Sequence, residues 1–152
     1  MEQVRIWNDV TRDTFVNEIR PLGEPALLRH LVADWPIVAT GKGATFDAAH
    51  YLSSKAISGP FEFSLAPPES RGILHYRPDM QAYTFSKRQA TFDEIIKAIL
   101  AASTESNPAT IAIQSKDVTS YFPDFLACHP LTILPSEITP RIWIGNRAKV
   151  AT

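Results

Sequence analysis

The chain has 152 residues, of which 45% are hydrophobic and 20% charged, with a net charge of -1 and a pI near 6.4. That balance excludes a disordered chain and leaves no electrostatic footprint for nucleic acid or an anionic membrane. A single cysteine, Cys128, excludes an internal disulfide and fits a reducing compartment.

The opening Met1-Glu2-Gln3-Val4-Arg5 carries an early acid and no apolar run, unlike a secretory signal. No apolar stretch approaches the roughly 20 residues that span a bilayer. The expectation is one soluble, cytoplasmic domain with no membrane and no nucleic-acid partner. Twelve prolines against six glycines predict short elements broken by rigid turns rather than a helical bundle.

Thr11 to Arg20 reads as a helix, with Phe15 and Ile19 four apart and Pro21 stopping it. Pro25 to Val32 is a short apolar run whose length favours a strand, and Asp34-Trp35-Pro36 forces a turn. Thr45 is placed as the N-cap of a helix through Lys55, with Asp47 in its first turn. Phe61 to Leu65 alternates as a half-buried strand closed by Pro67-Pro68-Glu69. Ile73 to Arg77 and Tyr83 to Phe85 read as two further strands.

Thr91 to Ala102 gives the clearest signal. Thr91 and Glu94 fit a capping box, and Phe92, Ile95, Ile96, Ile99 and Leu100 form one apolar stripe. Thr110 to Gln114 is a β-branched run that predicts a buried strand. Prolines mark Tyr121 to Pro140 as an irregular, partly wound connection. Arg141 to Gly145 reads as a strand, Asn146-Arg147 as a turn and Ala148 to Thr152 as the start of a return strand. The pattern is α+β, helices early and strands late. A sheet left in mid-strand reads as unfinished, since its backbone groups lack partners.

The chemistry in the sequence is sparse. None of His30, His50, His75 and His129 has an acid two residues on, and no two are four apart. Neither an iron facial-triad motif nor a zinc-protease motif is present. Gly41-Lys42-Gly43 is a flexible turn rather than a phosphate loop. Cys128-His129 suggests a nucleophile and base, but chain neighbours seldom aim at each other, and a lone cysteine in an apolar run is usually a small buried hydrophobe.

The segment Pro140 to Thr152, with its Trp143-Ile144-Gly145 strand, resembles the stretch that precedes the metal motif in cupin-like, jumonji-C-type proteins, the asparaginyl-hydroxylase-like oxygenases among them. Pro25 to Pro36, ending in Asp34-Trp35-Pro36, is similar to that family's opening strand and turn. Gly72 to Phe85, with Tyr76, Asp79-Met80 and Tyr83-Thr84-Phe85, resembles its next block, and Ile113-Gln114 its strand at the active-site mouth.

The resemblance implies a double-stranded β-helix of the cupin or jelly-roll kind. It also implies Fe(II) held by two histidines and an acid, 2-oxoglutarate as cosubstrate, and a protein substrate. It places all three ligands, and the base that pairs with the cosubstrate, beyond Thr152. Residues 1–152 are then the N-terminal part of one such domain, truncated before its metal motif and inactive alone. Two family positions depart as well: the cosubstrate tyrosine falls on Ala112 and the cosubstrate threonine on Val150. By the same likeness Gln114 faces the substrate mouth, and Trp143 and Asn146 shape the wall near the iron.

Two other readings stand beside this one. A complete, non-enzymatic α+β module would bind a protein or a second copy of itself through its exposed last strand. A small hydrolase would be built around Cys128 or His129.

Overall fold

In the computed structural model, residues 3–43, 45–135 and 137–146 are described. The chain begins with β1 (Arg5–Asn8), which pairs in parallel with β2 (Ala26–Arg29) as a two-stranded sheet. Between them α1 (Arg12–Thr14) runs into a π-helical Phe15–Ile19 and a 3-10 turn Arg20–Leu22, with Thr11 capping the start. Pro21 does not stop this helix as expected. Its ring lacks an N–H and opposes the carbonyl four residues back. The backbone widens before it and tightens around it, and ends at Gly23 in the left-handed region, φ 62°.

The predicted strand Pro25 to Val32 is shorter, since His30 turns left-handed at φ 64°. Asp34-Trp35-Pro36 turns as predicted and then starts an unforeseen helix, α2 (Pro36–Gly41), with proline in its first turn. Then follow α3 (Thr45–Lys55), which includes Thr45 as its first residue where the sequence made it the N-cap, and β3 (Pro60–Ala66), where the sequence put it.

Ile73 to Arg77 and Tyr83 to Phe85 are not ladder strands. One bridge, Tyr76 to Tyr83, joins them, and the Thr84 hydroxyl takes up backbone groups of Ile73 and His75. The next strand is instead β4 (Ser86–Thr91), whose Ser-Lys-Arg-Gln-Ala-Thr shows no apolar alternation because it is an exposed edge.

The remaining elements are α4 (Phe92–Ala102), β5 (Thr110–Asp117), α5 (Val118–Tyr121), α6 (Phe125–Cys128) and β6 (Arg141–Gly145). The short helix α6 lies within the partly wound connection predicted for Tyr121 to Pro140, and α5 leads into it. Of the predicted final turn and return strand, residues 147–152 lie outside the described residues. Among the described residues, no helix is long and apolar enough to cross a membrane.

One antiparallel sheet, ordered β4-β3-β5-β6, organises the molecule. Its register puts Phe61, Phe63, Leu65, Ile111 and Ile113 on one face, where helices cover them. The α4 stripe supplies Phe92, Ile95 and Ile96, all buried, and Phe122 and Phe125 complete the core.

The predicted capping box holds α4 in place. The Thr91 hydroxyl accepts from Glu94 N–H at 3.4 Å, and the Glu94 carboxylate accepts from Thr91 N–H at 2.8 Å. The Thr91 side chain first, and then its backbone N–H, hold the Glu94 carboxyl below its ordinary value. A carboxylate depressed in the folded state stabilises above its unfolded pKa, and the gain is lost as pH falls through the folded one. Glu94→Gln, which can still cap, should therefore flatten the acid limb of a stability-against-pH curve. An unchanged slope would assign that limb to other carboxylates, such as Asp117, which the Thr119 hydroxyl and Ser120 N–H also depress.

Candidate functional site

Alternation along β3 sends Glu62, Ser64 and Ala66 to the face opposite the phenylalanines. The register brings Ala112 and Lys87 beside Ser64. Among the described residues, no α-helix contributes to the apolar cluster on this face. A small cluster of Ala66, Leu74 and Ala112, with Phe85 against it, covers one end. Ser64, 4% exposed, donates to Gln114 Oε1 at 3.0 Å. Beside it Lys87 Nζ meets Glu62 Oε1 at 2.8 Å. The Lys87 hydrogen bond lowers the Glu62 carboxyl, and Glu62 raises the lysine in return. The pair is open to water, so it adds charge pattern more than stability.

The fourth strand is joined through a bulge. Ile113 pairs with Ile144 and Lys116 with Ile142, so Gln114 and Ser115 together oppose the single Trp143. Ser115 is left-handed at φ 51°, and Arg141 Nη1 donates to its carbonyl at 2.8 Å. Ile142 and Ile144 pack into the core, which leaves Trp143 on the helix-free face, 57% exposed. Bulges of this kind re-aim side chains and are common beside active sites.

Of the three residues predicted for a binding site, Gln114 and Trp143 are thus set opposite each other in the ladder by one bulge. Asn146 sits elsewhere, 5% exposed, with its amide committed to backbone. Its Oδ1 accepts from Ile111 N–H at 3.2 Å, its Nδ2 donates to Ala109 O at 2.8 Å, and its own N–H donates to Ile111 O at 3.2 Å. It pins the end of β6 to the start of β5.

Sequence reasoning missed Glu62, Ser64 and Lys87. The alternation of Phe61 to Leu65 already put Glu62 and Ser64 opposite the phenylalanines. Nothing local linked them to Lys87, which arrives from a polar edge strand.

The histidines are scattered. His30 lies 3.3 Å from Asp9 on the surface, His75 Nδ1 lies 3.3 Å from the Tyr76 carbonyl, and exposed His50 is on α3. His129 is fully buried. Its Nδ1 donates to Phe125 O at 2.7 Å, which leaves Nε2 to accept from Ile37 N–H at 3.4 Å. Cys128 is exposed, contrary to the buried hydrophobe expected, because it closes the short helix α6 at the surface. It therefore has no base in the neighbouring histidine, whose ring turns inward with both nitrogens engaged.

Among the described residues, no group of three His, Cys, Asp or Glu could hold a metal ion. The described residues therefore do not fit an iron ion. What the face offers is a hydrogen-bonding amide, an indole wall and an opposed charge pair.

No curated protein matches the chain. A family model described as a cupin-like domain matches residues 11–152.

Proposed function

Because the chain belongs to the cupin-like domain family, we propose that it forms the substrate-side wall of an Fe(II)- and 2-oxoglutarate-dependent, jumonji-C-type oxygenase site acting on protein. In this reading the iron ligands and the cosubstrate base come from outside the described residues, among which no metal-holding group occurs. The observation that carries this reading is the bulge that sets Gln114 opposite Trp143 on the helix-free face. In this reading Gln114 orients the substrate by hydrogen bonding, Trp143 excludes water from one side, and Lys87 and Glu62 select charge at the rim. Ala112 leaves the cosubstrate without the tyrosine that the resemblance supplies, so other groups must orient it. A single unpaired thiol, Cys128, supports a cytoplasmic setting.

The test begins with the gene. Reading all three frames past codon 152 should reveal a His-x-Asp and a later histidine. The longer product should then retain iron and form succinate from 2-oxoglutarate, while the 152-residue chain does neither. Gln114→Ala in the longer product should lower kcat/KM about tenfold, the loss of one positioned hydrogen bond. Succinate formed by the short chain, or full activity without Gln114, would overturn the proposal.

The free outer edge of β6 among the described residues, with Trp143 exposed beside it, favours a second reading as a non-enzymatic module that pairs strand to strand with another copy. A defined dimer at micromolar concentration, lost in Trp143→Ser, would support it. A monomer throughout would remove it.

A further inference from the structure

Three aromatic rings lead away from the helix-free face. Phe85 rests on the Ala66–Leu74–Ala112 cluster, Tyr83 lies 4.8 Å from Phe85, and Tyr76 lies 4.7 Å from Tyr83, centroid to centroid. The two tyrosine rings are inclined by only 35°, with their hydroxyls 3.3 Å apart. A backbone bridge joins the same two residues, which keeps the two side chains rooted directly across from each other. They are 43% and 46% exposed, within reach of a dissolved oxidant. Among the described residues, the ring contacts of the other two tyrosines are not phenolic: Tyr51 faces His129, and Tyr121 faces Phe61 and Lys116.

We propose that Tyr76 and Tyr83 are an oxidative cross-linking site, joined by a one-electron oxidant of the peroxidase class through a carbon–carbon bond ortho to their hydroxyls. Each phenol loses one electron and one proton to give a phenoxyl radical. The radicals couple ring to ring, and the ortho hydrogens shift to the oxygens as both rings regain aromaticity. The product keeps both hydroxyls and is lighter by two hydrogens. Hydrogen peroxide, acting through the peroxidase, takes the two electrons and two protons and leaves as two waters.

The close hydroxyls favour this course. Hydrogen bonding to Tyr83 raises the Tyr76 phenol above its ordinary value, a mark of how closely the two oxygens are held. The link would staple a hairpin that otherwise has one bridge and the Thr84 hydroxyl across it. This inference does not depend on the oxygenase reading.

The sequence supplies a direct test, because Met80 lies between the two tyrosines and Met1 is the only other methionine. The intact 152-residue chain is treated with a haem peroxidase and hydrogen peroxide, any methionine sulfoxide is reduced, and the chain is cut at methionine. The expected product is monomeric, shows bityrosine fluorescence, and keeps its two halves joined on a denaturing gel. Tyr83→Phe should fall into two pieces, and the Tyr51→Phe, Tyr121→Phe double variant should stay joined. The proposal fails if no bityrosine forms, if the links fall between chains, or if the product is the same in denaturant.

Discussion

Phe61→Ala is expected to lower the unfolding free energy by about 3–5 kcal/mol, the cost of emptying a fully packed aromatic site. Phe61 is wholly buried at the start of β3. Its ring meets Phe92 at 5.0 Å, Tyr121 at 4.8 Å and Phe122 at 5.7 Å, which ties the sheet to α4 and α5 at one point. No neighbour can close the space without moving an element, because interiors of this kind are close-packed. Urea titration is the measurement, with Phe63→Ala as the comparison on a half-buried position of the same strand. A loss below about 1 kcal/mol would mean that the site collapses freely and that Phe61 is not the join.

His129→Ala should cost a comparable amount, about 3 kcal/mol, for two combined reasons. The ring fills space: it stacks on Phe125 at 3.8 Å and 6° and meets Trp35 and Tyr51 edge-on. It also serves the Ile37 N–H and the Phe125 carbonyl, which would be left without that partner. The effect should concentrate on the Asp34-Trp35-Pro36 turn, where Trp35 Nε1 donates to Pro130 O at 3.3 Å. Hydrogen exchange would show the start of α2 loosening before the sheet does. If the sheet and α2 lose protection together, His129 is general core rather than the clasp of that turn. Substitution of the exposed Cys128 next to it should change neither.

What could be read from the sequence follows from where each element finds its stabilisation. α4 carries its own cap and its own stripe, and β5 its own β-branched run, so both could be placed without knowing what they pack against. Thr45–Lys55 and Arg141–Gly145 were legible for similar local reasons. β4 could not be seen, because an edge strand held by backbone pairing alone needs no apolar residues. Ile73 to Arg77 looked like a strand for the opposite reason: its apolar residues serve a hairpin held by one backbone bridge, a threonine hydroxyl and adjoining rings.

The site divides along the same line. Gln114 and Trp143 were marked by likeness to a family segment, and the fold brings them together. The bulge that does so was invisible, since the left-handed residue within it is Ser115, not the glycine that usually announces one. Asn146 was read as a turn residue or a wall. Its amide proves to be spent on backbone 35 and 37 positions away, a contact that only the tertiary fold creates.

The bulge also bears on how the gene can change length. Removing Ser115 would set Gln114 against Trp143 and Lys116 against Ile142 in an uninterrupted ladder, with every side chain on the side it now occupies. A one-codon deletion inside a strand normally turns everything beyond it inside out. At this codon it would not, and a one-codon insertion into a straight ancestor could have created the bulge with equally little damage. β5 is therefore a place where the reading frame can gain or lose three nucleotides and alter the aim of two residues and the Arg141 contact at Ser115, with the faces of the strand unchanged.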